Sequence, residues 1–125
     1  MGIPIIFERG SVYYCKDLKL LSGKDEITVR NKYILILQGG NFFKNSNKVN
    51  ILLSTKQNTN PENIYPTEVL IKASQNGFPE DTKFNCAEIY IMHKVDILKS
   101  ELKFKLSKEV MDKIGEKIIV GLQIV

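Results

Sequence analysis

Two apolar runs on either side of a polar connector constrain this chain most. Tyr33-Ile34-Leu35-Ile36-Leu37 and Val49-Asn50-Ile51-Leu52-Leu53 are separated by Gln38 and the segment GGNFFKNSNK. Runs this short and this continuous do not make surface helices; they read as strands largely covered on both faces. Polar groups sit at their ends. Arg30 and Lys32 enter the first run, and Ser54, Thr55 and Lys56 leave the second. A reaction site, if the chain has one, is expected where these ends meet.

The remaining segments are short and turn-rich. Ile3 to Phe7 reads as an arm or a strand start, and Arg9-Gly10-Ser11 as a turn. Val12-Tyr13-Tyr14-Cys15 is a first strand ending near Asp17, followed by Lys19–Thr28, which contains Ser22-Gly23-Lys24-Asp25-Glu26, a polar loop of hairpin character. Gly39-Gly40-Asn41 breaks the second strand, and Phe42 and Phe43 anchor a short helical turn. Gln57 to Tyr65 is the longest loop, and Pro66 forces Tyr65 to be extended. A fourth strand is expected over Thr67–Lys72, turns over Ala73–Lys83, one strand over Phe84–Met92 and a last strand over Leu102–Leu106. Ser107 then reads as an N-cap. Val110, Met111, Ile114, Ile118 and Leu122 recur at helical spacing, with Gly121 expected to end the helix. The sum is a mainly β chain: a small barrel or strongly curled sheet with a C-terminal amphipathic helix. That helix either caps the barrel or contributes its stripe to a dimer contact.

Composition narrows the class. The 125 residues, 43% hydrophobic and 26% charged, suit one domain spanning 1–125 with a modest core. No apolar run approaches the roughly 20 residues of a membrane span, and Met1-Gly2-Ile3-Pro4 does not open a signal peptide, so a cytoplasmic location is expected. Net charge is +4 and uneven: residues 1–60 carry nine Lys or Arg against four acids, residues 61–125 nine against ten. The positive excess lies beside the two apolar runs, which points to an anionic partner such as nucleic acid. No zinc, phosphate-loop or EF-hand motif is present. The single histidine, His93, excludes a two-histidine ribonuclease site. Cys15 and Cys86 have no metal spacing and are expected to be reduced packing residues.

The order of segments resembles the PemK/MazF-like toxin family, small ribonucleases of bacterial toxin–antitoxin systems. Arg9-Gly10-Ser11-Val12-Tyr13 stands where the family has Arg-Gly-Asp-Val-Tyr. The aliphatic run after the first loop is intact, but Lys32-Tyr33 occupies the place of the family's Arg-Pro, with Arg30 two residues earlier. Ser54-Thr55 matches the Thr or Ser that ends the third strand, and Pro66-Thr67-Glu68-Val69 the segment beyond it. Ala87-Glu88-Ile89-Tyr90-Ile91 stands for Glu-Gln-Ile-Arg-Thr, with Tyr90 replacing an arginine.

The resemblance implies an SH3-like barrel, a homodimer, cleavage of single-stranded RNA without a metal or other cofactor, and a cognate antitoxin protein in the same groove. It implies catalytic roles for Lys32, Thr55 and Arg30, and RNA contacts from Ser54, Lys19, Lys24, Gln57 and Tyr90. Asn58 and Glu88 are further candidates. The residue types suit the chemistry: a fixed cation and a hydroxyl donor stabilise charge gathering on phosphoryl oxygens as a 2′-hydroxyl attacks. Lysine lacks arginine's planar fork, however. The alternative is an impaired barrel of the same family that binds RNA or a partner protein without cutting.

Overall fold

The computed structural model describes residues 6–22, 24–40 and 44–123. Seven strands and a C-terminal helix follow one another: β1 (Ser11–Ser22), β2 (Asp25–Ile36), β3 (Lys48–Thr55), β4 (Glu68–Ile71), the short α1 (Ala73–Asn76), β5 (Thr82–Asn85), β6 (Tyr90–His93), the short α2 (Lys94–Ile97), β7 (Glu101–Lys105) and α3 (Lys108–Gln123). A 3-10 turn, Pro61–Asn63, lies between β3 and β4.

Antiparallel pairing closes four strands into a ring. β1 pairs with β2, β2 with β3, β3 with β6, and β6 with β1 through Leu21 and Ile91. This is the small SH3-like barrel. β7 adds to β1, and the β4–β5 hairpin continues from the end of β3. Closure leaves the end of β2, Ile34–Ile36, and the middle of β3, Ile51–Leu52, covered on both faces, which explains their unbroken apolar sequence. Ile34 and Ile36 pack in the barrel cluster with Leu18, Leu20, Ile51 and Met92. Leu35, between them, packs on the other side with Leu52, Phe84, Met111 and Ile114. All three residues are fully buried. Full burial of an aliphatic side chain contributes roughly 1.5–3 kcal/mol, so these two clusters carry most of the fold.

The helix caps the second cluster. Ser107 Oγ accepts the Val110 N–H at 3.2 Å, and Met111 and Ile114 are the buried members of the stripe. Gly121 does not end the helix, which continues to Gln123. Its role is close approach: a Cβ there would lie 3.2 Å from Ala87 Cα. Among the described residues, no helix is long and apolar enough to cross a membrane. Cys15 and Cys86 are free and buried, and burial pushes the Cys86 thiol up to about 11.

Three expectations need correction. The hairpin character read at Ser22–Glu26 holds, but the flanking residues of Lys19–Thr28 are strand: β1 and β2 form one long hairpin that pairs down to Ser22 and Asp25. Leu18 and Leu20 hold it to the core, so the first strand runs five residues past Asp17. Phe84–Met92 is not one strand but β5 and β6, separated by a turn in which the Glu88 N–H donates to Asn85 O. Strand character also begins earlier, at Thr82, inside the segment read as turns. The expected helical turn at Phe42 and Phe43, and most of the Ile3–Phe7 arm, lie outside the described residues.

Candidate functional site

The ends of the two central strands do meet. β2 and β3 pair from Ile36 and Ile51 to Ile34 and Leu53. Beyond that point the Tyr33 N–H donates to Ser54 Oγ at 3.0 Å. A proline, which the resemblance places at this position, has no N–H to give. The departure at Tyr33 therefore has a structural use: it ties β2 to the end of β3 through a buried hydroxyl. The Tyr33 ring turns away to stack edge-on against Phe78, with centroids 5.1 Å apart.

Just past this tie an open cleft of about 320 Å³ is lined by Lys32 from β2, Ser54 and Thr55 from β3, and Tyr90 from β6. Gln57 and Asn58 form one wall and Glu88 another. Thr55 is half-buried, and its Oγ1 accepts the Gln57 N–H at 3.3 Å, which shapes the turn out of β3. Used as an acceptor there, the hydroxyl keeps its own hydrogen to donate. Tyr90 pairs with Ile51 in the sheet. Burial, followed by the nearby Glu88 charge, holds the Tyr90 phenol above its usual range, so it is a neutral donor at pH 7.

The floor of the cleft was not legible in the sequence. In β5, Phe84 packs in the helix-side core, so its neighbours Lys83 and Asn85 face the other way, into the cleft. Lys83 is the cross-strand partner of Thr55. It is 5% exposed and bonded at 3.0 Å to Glu68 of β4, itself 7% exposed. The same carboxylate accepts the Tyr65 N–H at 2.9 Å. A buried charge needs such a partner, since an isolated one costs several kcal/mol. The usable signal was alternation about Phe84 together with the acid at Glu68 on the neighbouring strand.

Other expected site residues lie elsewhere. Arg30 is highly exposed and pairs with Asp17 at 3.5 Å across the hairpin. Asn31, at φ 54, interrupts the regular alternation between Arg30 and Lys32, so the two cations do not share the cleft. Lys19 pairs with Thr28 along the hairpin, and Lys24 lies at its turn; neither lines the cleft. The cleft thus holds two cations, Lys32 and Lys83, and two carboxylates, Glu68 and Glu88. Glu68 neutralises Lys83. Among the described residues, no ion pair involves Lys32.

A family model described as PemK-like, MazF-like toxin of type II toxin–antitoxin system matches residues 8–122. The chain belongs to that family. The resemblance read from the ordered motifs therefore holds over nearly the whole length. Solved structures agree on the fold. An endoribonuclease in complex with its cognate antitoxin, from Mycobacterial species, is 19% identical at a TM-score of 0.65, covering 94% of this chain and 95% of its own. An endoribonuclease from Mycobacterial species is 19% identical at 0.66, covering 98% and 94%. A MazE-MazF crystal structure from Deinococcus radiodurans is 12% identical at 0.66, covering 97% and 100%. No curated protein matches the chain.

Proposed function

We propose that this member of the toxin family is an endoribonuclease that cuts single-stranded RNA in the cleft between the ends of β2 and β3. The observation that carries the proposal is the convergence of Lys32 and the Thr55 hydroxyl in one open cavity, with Tyr90 and the Gln57–Asn58 turn beside them. The endoribonuclease names of structurally similar proteins support it.

The reaction is an internal displacement. The 2′-oxygen of a ribose forms a bond to the adjacent phosphorus, and the bond to the 5′-oxygen of the next nucleotide breaks. The 2′-hydroxyl loses one proton and the leaving oxygen gains one, so the step is proton-neutral and leaves a 2′,3′-cyclic phosphate and a 5′-hydroxyl. Negative charge gathers on the phosphoryl oxygens in between. The Lys32 ammonium and the Thr55 O–H stabilise that charge, an effect worth about 3–4 kcal/mol per well-placed donor. Tyr90 and the Gln57 amide contact splayed bases, as single-stranded RNA recognition requires. The protein acts in the cytoplasm as a homodimer, and an antitoxin protein blocks the groove.

A second reading has its own observation. Glu68 neutralises Lys83, a second carboxylate, Glu88, lines the same cleft, and Lys32 lacks the bidentate geometry of arginine. Such a cleft suits a barrel that binds RNA or a partner without cutting. Incubation of a long RNA with purified protein in EDTA separates the two. Recurrent cuts at a short sequence, with cyclic-phosphate ends, lost in Thr55→Ala and Lys32→Ala, support the nuclease. Binding without cutting supports the second reading.

A further inference from the structure

The cleft continues past its own floor. A second cavity, of about 420 Å³, is lined by Asn58, Glu62, Asn63, Ile64, Tyr65 and Lys83. Asn58 and Lys83 line both cavities, so the two are adjoining stretches of one surface groove. The wall of the second is the Tyr65 ring, 69% exposed.

An exposed aromatic is ordinarily unremarkable on a surface. The backbone that carries this one is fixed in place. Tyr65 N donates to Glu68 Oε1 at 2.9 Å, and Glu68 N donates back to Tyr65 O at 2.9 Å. Glu68 is held in turn by the buried Lys83, whose Nζ lies 6.0 Å from the Tyr65 ring centroid. The loop leading to it is also braced. Asn58 is in the left-handed region, at φ 55, and Asn60 Oδ1 caps the 3-10 turn by accepting the Glu62 N–H at 3.2 Å. A ring whose backbone is tied to a buried ion pair while its face is open to solvent loses little freedom when a flat ligand stacks on it.

We propose that Tyr65 is the stacking platform of a separate nucleobase subsite, read at its edge by the Asn58 and Asn63 amides and the Glu62 carboxylate; this rests on the RNA-cleaving reading of the adjoining cleft. The chemistry of the wall selects the base. A carboxylate accepts two parallel hydrogen bonds and donates none, so Glu62 favours guanine, whose N1–H and N2 amine are adjacent donors, over uracil, which offers N3–H alone. The subsite therefore adds affinity and one position of sequence preference beside the cut.

The test compares wild type with Tyr65→Leu, Tyr65→Phe and Asn58→Gly. The glycine variant keeps the left-handed backbone while removing the amide. Cut positions are mapped on a long RNA, and affinity is measured by fluorescence anisotropy with a 2′-O-methyl RNA of the most frequently cut sequence. Loss of one base–aromatic stack is expected to weaken binding by roughly tenfold or more in Tyr65→Leu. Tyr65→Phe retains the affinity. Wild-type cut sites favour guanine at one flanking position, and both Tyr65→Leu and Asn58→Gly relax that preference. Unfolding temperatures within a degree or two of wild type show that the exposed ring was not structural. If Tyr65→Leu binds and cuts as wild type does, at the same sequences, the subsite is refuted while the nuclease stands. A wild type that neither binds nor cuts RNA overturns both.

Discussion

The Glu68–Lys83 pair gives the most quantitative prediction. Each partner's side chain is only 6% accessible, and the Nζ lies 3.0 Å from one carboxylate oxygen and 3.2 Å from the other. Replacing Lys83 by methionine keeps most of the length of the side chain and removes the charge. The Glu68 carboxylate is then left buried with the Tyr65 N–H as its remaining partner. Breaking one side of such a pair costs about 3–5 kcal/mol. A domain of this size has an unfolding entropy near 0.26 kcal/mol/K, so each kcal/mol shifts the midpoint by about 4 °C. Lys83→Met should therefore melt about 12–20 °C below wild type. Adding Glu68→Leu removes the stranded charge, and the double variant should recover to near the wild-type midpoint, because apolar replacement of a whole buried pair is often neutral or better. Differential scanning calorimetry at pH 7 reads all three proteins. A Lys83→Met midpoint within 3 °C of wild type, or a double variant melting no higher than the single, would refute the assignment of a desolvated pair beneath the cleft.

Three further outcomes follow from local geometry. Ser54→Ala removes the acceptor of the Tyr33 N–H and should cost about 1–3 kcal/mol in denaturant unfolding; unchanged stability with lost cleavage would move Ser54 from the tie to the chemistry. Gly39→Ala places a Cβ 2.3 Å from Arg9 N and 2.6 Å from Phe7 O, backbone atoms that cannot turn aside, so it should cost about 3 kcal/mol or more; at Gly40, where nothing lies within 4 Å but φ is +79°, alanine should cost only the left-handed backbone strain of about 1–2 kcal/mol, and the reverse order would contradict this packing. The Ala73 N–H, and after it Lys72, hold the Asp81 carboxyl below its ordinary value. Its stabilisation is present above the unfolded value of about 3.9 and is lost as pH falls through the lower folded value. The stability gap between wild type and Asp81→Asn should accordingly close in acid, and a gap that widens there would be the wrong sign.

The barrel was legible because its central strands are buried on both faces. Ile34-Leu35-Ile36 and Ile51-Leu52 carry that burial as unbroken apolar sequence, which admits few alternatives. The β1–β2 hairpin was less legible: Leu18 and Leu20 alternate with Lys19, yet Ser22 to Glu26 reads as a loop and masks how far pairing extends on either side. That Lys32 and Thr55 line the cleft was readable from their places at strand ends. Arg30 was misleading because Asn31 takes a left-handed φ that no strand pattern announces. Lys83 was hidden for a different reason. A buried lysine contradicts the local hydrophobic pattern, and only Glu68, fifteen residues away on a neighbouring strand, makes it tolerable. That partnership is tertiary and has no signature along either strand alone.

The central claim is that Lys32 and Thr55 act together on one phosphoryl group. A double-mutant cycle tests it directly: single-turnover cleavage of one mapped RNA site by wild type, Lys32→Ala, Thr55→Ala and the double variant. Groups acting as a unit give non-additive losses. The double variant should therefore cut about as slowly as the worse single variant. Fully multiplicative losses, or single variants that cut at the wild-type rate, would contradict a shared site in this cleft.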